Sequence, residues 1–156
     1  MERKEEFTQV LNDLLKINND RIRQYKKATK EIADLDWRTL FLSNIDESKK
    51  FGMELSLEIM RNGGEPKVGS TTTSGKIYRF WMEIKDTLTG KDRESILNEC
   101  EFVEDAVLRA YERAMQRKDF SVDISRLLGR QLELLRESHA TINRYRDMTL
   151  LDLYKI

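Results

Sequence analysis

Apolar residues recur at spacings of three and four along nearly all of this chain, and only four short breaks interrupt the repeat. Side chains spaced in this way line one stripe of an α-helix. The chain can therefore bury them only by packing long amphipathic helices on one another. The first stripe holds Phe7, Leu11, Leu14, Ile22, Tyr25 and Ile32 and predicts a helix over about 3–33. Asp34-Leu35-Asp36 ends it, and Asp36 is suited to cap a second helix from Trp37, since a carboxylate accepts from the free N–H groups of a first turn. That helix, about 37–62, carries Leu40, Phe41, Ile45, Phe51, Leu55 and Ile59. It stops at Asn62-Gly63-Gly64-Glu65-Pro66, where paired glycines leave the helical conformation and proline cannot resume it. A small, polar loop follows, and Ile77, Phe80, Trp81 and Ile84 mark a short helix over about 74–87. After the break Leu88-Thr89-Gly90-Lys91-Asp92, a third long helix (about 92–117) presents Leu97, Cys100, Val107, Leu108, Tyr111 and Ala114. A turn at Lys118-Asp119-Phe120-Ser121 leads to a fourth (about 122–148) with Leu128, Leu132, Leu135 and Ile142. The tail TLLDLYKI is apolar enough to dock on the bundle or on a neighbour.

Connection lengths turn these helices into an architecture. Short links after the first and third long helices force antiparallel hairpins, and the long link between the second and third lets one hairpin pack beside the other. Tyr25-x-x-Ala28 matches Tyr111-x-x-Ala114, a trace of duplication between the hairpins. The reading is a single all-α domain over 1–156, a ferritin-like up-down four-helix bundle whose long crossover contains a short extra helix. Lys+Arg and Asp+Glu both number 28, so no net field recruits nucleic acid or an acidic membrane. No run approaches the roughly 18 apolar residues of a membrane span, and MERKEEFTQV lacks the apolar core of a secretory leader. Cys100 is the only cysteine, which excludes an internal disulfide and a Cys-rich zinc site. A cytoplasmic location fits these features.

Polar residues interrupt the stripes, one on each long helix. Asn18 lies four after Leu14 and seven before Tyr25; Glu104 lies four after Cys100 and seven before Tyr111; His139 lies four after Leu135 and three before Ile142; Glu47 lies four before Phe51. Burying such groups costs several kcal/mol unless they are paired or bound. Di-metal bundles of this layout fill the same place with one Glu from each of two helices and Glu-x-x-His from the other two. Here the set is thinned. Helix one offers Asn18, helix two reads Glu47-x-x-Lys50, and helix four reads Arg136-x-x-His139. Two readings follow. Asn18, Glu47, Glu104 and His139 form an internal polar cluster with the cations Lys50 and Arg136, or Glu47, Glu104 and His139 hold iron or manganese.

Other features have plain explanations beside sharper ones. Ser70 to Lys76 glances at a phosphate-binding loop, but Ile77 stands where a magnesium-binding hydroxyl belongs. Cys100 and His139 share core stripes, where a buried inert thiol is the ordinary outcome. Phe80 and Trp81 either cover the bundle end or form a dimer contact. Charged runs such as Arg21–Lys30 read as solvated helix faces.

The stretches LNDLLKINNDRIRQYKKA (11–28), MELSLEIMRNGGEP (53–66) and YRFWMEIKDTLTGKDRESILNECEFVEDAVLRAYERA (78–114) carry a resemblance. In order they hold Arg79-Phe80-Trp81, Leu88-Thr89-Gly90, and Glu104-Asp105 with Tyr111. Over about residues 7–147 the chain resembles a bacterial family of ferritin-like bundles called domain of unknown function 2383. The resemblance implies the fold and no activity. Relatives tend to carry an acidic residue near the position of Asn18-Asn19, so the resemblance implies a weaker metal site here. The leading expectation is a non-enzymatic interaction or stress-associated bundle that self-associates and binds a protein partner of unknown identity. The alternative is a metal-binding, oxidoreductase-like protein with a degenerate di-metal site.

Overall fold

The computed structural model describes residues 2–84 and 92–154. Its regular elements are α1 (Glu2–Glu31), α2 (Leu35–Arg61), α3 (Gly75–Ile84), α4 (Arg93–Met115) and α5 (Val122–Tyr154). The break after α1 is capped by Asp34, not Asp36. Asp34 Oδ1 accepts from the backbone N–H of Asp36 at 3.0 Å and of Trp37 at 3.2 Å. A capping side chain reaches N–H groups two and three residues ahead, so Leu35 opens the helix and Asp36 falls in its first turn. At the other end of α2, Gly63 adopts φ 79° and Gly64 passes close to α1, where an added Cβ would lie 2.6 Å from Thr8 Cγ2. The expected turn at Leu88-Thr89-Gly90-Lys91, and the expected continuation of α3 over 85–87, lie outside the described residues. Residues 149–154 of the tail prolong α5 as helix, and Lys155 and Ile156 lie outside the described residues.

α1 packs on α2 and α4, and α5 packs on α4 and α2. Cross-helix bonds fix the directions. Arg21 meets Glu47 and Asn12 meets Glu65, while Asn18 meets Tyr111 and Lys27 meets Glu99. Tyr111 meets Gln131 and Glu101 meets Arg146, while Glu54 and Glu47 meet Gln131 and Ser138. In each adjacent pair one number rises as the other falls, so all four adjacent pairs are antiparallel. α2 and α4 therefore run in the same direction, and the crossover must return the length of the bundle. It does so along α1. Asn12 Nδ2 donates to Glu65 O (3.0 Å), Lys67 N donates to Asn12 Oδ1 (2.8 Å), Asn19 Nδ2 donates to Ser70 O (2.7 Å), and Thr72 N donates to Asp20 Oδ2 (3.2 Å).

The interior falls into two apolar clusters. One gathers Leu11, Leu14, Phe51, Leu55, Val107 and Leu128; the other gathers Tyr25, Ile32, Trp37, Phe41, Ile96 and Ile142. On α1, α2 and α5 the boundary between them falls at the polar interruption, and on α4 it falls between Cys100 and Val103, just before Glu104. Among the described residues no helix is long and apolar enough to cross a membrane.

Candidate functional site

Arg21 lies three residues after Asn18 and four before Tyr25, so helical geometry places it on the inward stripe of α1. It is fully buried, which corrects the reading of Arg21–Lys30 as a wholly solvated face. Its Nε donates to Glu104 Oε1 at 2.7 Å, and its Nη1 donates to Glu47 Oε1 and Ser48 Oγ, both at 2.9 Å, and to Asn44 O at 3.3 Å. The Tyr25 hydroxyl donates to the same oxygen of Glu104, and Ser138 Oγ donates to Glu47 Oε1 at 2.9 Å. One layer thus ties α1, α2, α4 and α5 around a guanidinium, whose rigid fork suits two carboxylates at once. Burial opposes the charge on Arg21, but Glu104, Tyr25 and Glu47 outweigh it and hold its pKa above the ordinary value. Burial, reinforced by Glu104, drives the Tyr25 hydroxyl well above its usual pKa, so it stays a donor.

A second layer lies one to two turns away. Asn18 Nδ2 donates to Tyr111 Oη at 2.8 Å and to Leu14 O at 2.9 Å; Tyr111 in turn donates to Gln131 Oε1 at 2.6 Å. Gln131 Nε2 closes the circuit on Glu54 Oε1 at 3.2 Å. The two layers are reciprocal. Each tyrosine hydroxyl bonds the polar residue that stands seven before the tyrosine of the other helix: Tyr25 meets Glu104, and Tyr111 meets Asn18. The Tyr-x-x-Ala repeat is the sequence trace of this pseudo-two-fold relation between α1 and α4.

The structure brings Glu47 and Glu104 together, but on Arg21. His139 is apart from them: its Nε2 lies 3.5 Å from Asp105 Oδ1 at the α4–α5 seam. Lys50 and Arg136, expected as the core cations, are exposed. Each directly neighbours an inward residue, Phe51 or Leu135, and one residue turns a helix by about 100°. Arg136 instead lies 3.8 Å from Glu112 and from Glu133. The residues do not fit a metal ion. Two of the three candidate ligands already point at an internal cation, and among the described residues no group of three or more His, Cys, Asp or Glu side chains converges. Glu104 Oε2 and Arg21 Nη2 are both buried without a hydrogen-bond partner among the described residues.

Trp81 is buried within its own chain, with its Nε1 donating to Asp20 Oδ1 at 3.1 Å and Arg23 stacked 4.1 Å above its ring. It is therefore a clamp of the crossover on α1 and is not free to form an interface. Phe80 is half-buried, stacked on Phe102 at 4.7 Å. Burial raises the Asp20 carboxyl against the lowering effect of Thr72 and Trp81. The loop amides at Lys67 and Thr72 are engaged by Asn12 and Asp20, which leaves those two unavailable to a phosphate. Cys100 Sγ accepts from Gln24 Nε2 at 3.6 Å, and burial pushes its thiol up to about 12, so it is no nucleophile partnered by His139.

Sequence reasoning missed Arg21, Gln131 and Ser138, and missed Asp20 and Asn12 beneath the crossover. Arg21 alone carried a usable signal, its phase between Asn18 and Tyr25. Comparison with known proteins adds the following. The family model described as Domain of unknown function (DUF2383) matches residues 6–117. Among solved structures, the Mycobacterium smegmatis Dps1 mutant F47E superposes with a TM-score of 0.73 at 15% identity, over 92% of this chain and 97% of that one. That likeness shows the ferritin-like fold. No curated protein matches the sequence.

Proposed function

This chain belongs to the family described as a domain of unknown function, DUF2383, and on that footing we propose that it is a non-enzymatic, self-associating interaction bundle. The observation that carries the reading is Arg21, whose guanidinium lies 2.7 Å from a carboxylate of α4 and 2.9 Å from one of α2. These are the two carboxylates best placed to be ligands. A covalently tethered cation offsets one of their two negative charges and hydrogen-bonds both carboxylates without any ion from solution. A divalent cation entering between them would meet like charge a few ångströms away, a repulsion of about 4 kcal/mol per pair of unit charges at the effective dielectric of a protein interior. The arrangement supplies rigidity and register, since one layer fixes all four helices at a common height. It holds no nucleophile beside a base among the groups described above.

Metal analysis tests the reading. Protein purified without chelator or affinity nickel, before and after anaerobic Fe²⁺ or Mn²⁺, should carry no stoichiometric metal. Near-stoichiometric metal that is lost in Glu104→Ala would overturn it. The case would then pass to an iron- or manganese-binding, oxidoreductase-like protein, a reading that the unpartnered Glu104 Oε2 favours. Self-association is tested separately by light scattering, where a strict monomer at micromolar concentration would refute it.

A further inference from the structure

The outward face of α2 carries a stripe that its own chain leaves uncovered. Leu35 is 77% exposed, Leu42 53%, Met53 68%, Leu57 51% and Met60 53%. Together with Asp46 and Lys49 they recur at helical spacing along one side of α2, opposite the buried Phe51 and Leu55. Beside the stripe an open groove of about 600 Å³, its walls almost wholly apolar, runs between α1, α2 and the crossover and is lined by Leu15, Ile22, Gly52 and Val68. Isolated exposed apolar residues are ordinary on a protein surface, but a contiguous stripe marks an interface.

We propose that this stripe packs antiparallel on the α2 stripe of a second copy of this chain, about a two-fold axis between residues 47 and 48. The inference rests on the self-association reading and names its surface. The order of residue types along α2 argues for a second copy over any other occupant, because six of the seven stripe residues find a complementary residue when the stripe is reversed. With the axis at that point, Leu35 comes level with the partner's Met60, Leu42 with the partner's Met53, and Asp46 with the partner's Lys49. Leu35, Leu42, Met53 and Met60 meet apolar residues over a span of roughly 37 Å of helix, and Leu57 comes level with the partner's Arg38, whose aliphatic stem can lie along it. The two charges at the centre of the stripe, Asp46 and Lys49, meet their opposites twice. An isologous contact requires this property, and an unrelated partner would not impose it. Neither Asp46 nor Lys49 is ion-paired to a described residue of its own chain, so both are available across the axis.

The test uses the full chain in sedimentation and light scattering. The wild type should be a dimer or an assembly built from it. Met53→Glu, at an exposed position where the helical signal should stay unchanged, should abolish that contact. Asp46→Lys should raise the dissociation constant about tenfold or more by setting like charges level, and adding Lys49→Asp should restore it. Association that survives Met53→Glu overturns this surface while leaving self-association standing. Association that Met53→Glu breaks but Asp46→Lys leaves alone overturns the antiparallel register. A monomeric wild type overturns both readings and leaves the stripe to a different chain.

Discussion

Arg21 decides more about this molecule than any other side chain, because it is a full charge with no exposure to solvent. Taking it away should strand Glu104 in the interior. Arg21→Met is expected to cost about 3–5 kcal/mol in urea unfolding, since one half of a buried pair left alone bears the whole desolvation penalty. Removing both charges, as Arg21→Met with Glu104→Gln, should recover most of that loss. If the double variant is as unstable as the single, the pair is not what burial of Glu104 depends on. Arg21→Lys should remain well below wild type, because an ammonium cannot present the fork that Glu104, Glu47 and Ser48 share. Legibility at this scale was partial. Asn18, Glu47 and Glu104 announced themselves as polar residues on apolar stripes, whereas Arg21 was masked by the arginine and lysines around it. Lys50 and Arg136 were misplaced because a motif spacing was preferred to helical phase.

At the scale of elements, α1 explains why so polar a sequence can be an interior helix. It is covered by α2, by α4 and by the crossover, so Asn12, Asp20 and Gln24 are buried although each lies off the apolar stripe. The crossover offers backbone groups, and α1 answers them with amides and one carboxylate, as a buried irregular segment requires. Asp20 accepts two N–H donors, from Thr72 and Trp81. Asp20→Asn must turn an NH₂ toward one of them, and is expected to lose about 1–3 kcal/mol and to speed hydrogen exchange around residue 72. Unchanged exchange there would mean that the crossover is held by other contacts. Gly64→Ala is expected to destabilise by about 1–3 kcal/mol as well, because its Cβ would meet the branched Thr8 side chain at 2.6 and 2.8 Å. Pairing it with Thr8→Ser should recover part of that loss. The glycines themselves were plain in the sequence as a stop. That Gly64 also admits α1 was not, since close approach between helices leaves no local pattern.

For the whole molecule, the buried acids make a statement about pH. Cys100 is raised to about 12, and Tyr25 and Tyr111 are raised by burial. In each the folded state holds its proton at pH values where the unfolded chain has released it. Their contribution to stability is therefore complete below about pH 9, the ordinary thiol range, and is lost as pH climbs through the folded values. Unfolding free energy should fall steadily above that point. A thiol reagent should reach Cys100 only on unfolding, and a flat stability profile to pH 11 would refute the burial argument. The reciprocal Tyr–Glu104 and Tyr–Asn18 bonds belong to this scale too, because they require α1 and α4 to be antiparallel neighbours. The sequence by itself determined that the chain is helical, where its helices break, and that a long crossover joins two hairpins, since periodicity and turn residues act over a few neighbours. Only the tertiary structure decided which cation entered the core, what the crossover covered, and which apolar face was left over. Those outcomes depend on which faces of distant helices meet, and beyond the helical phase of Arg21 no local pattern records them.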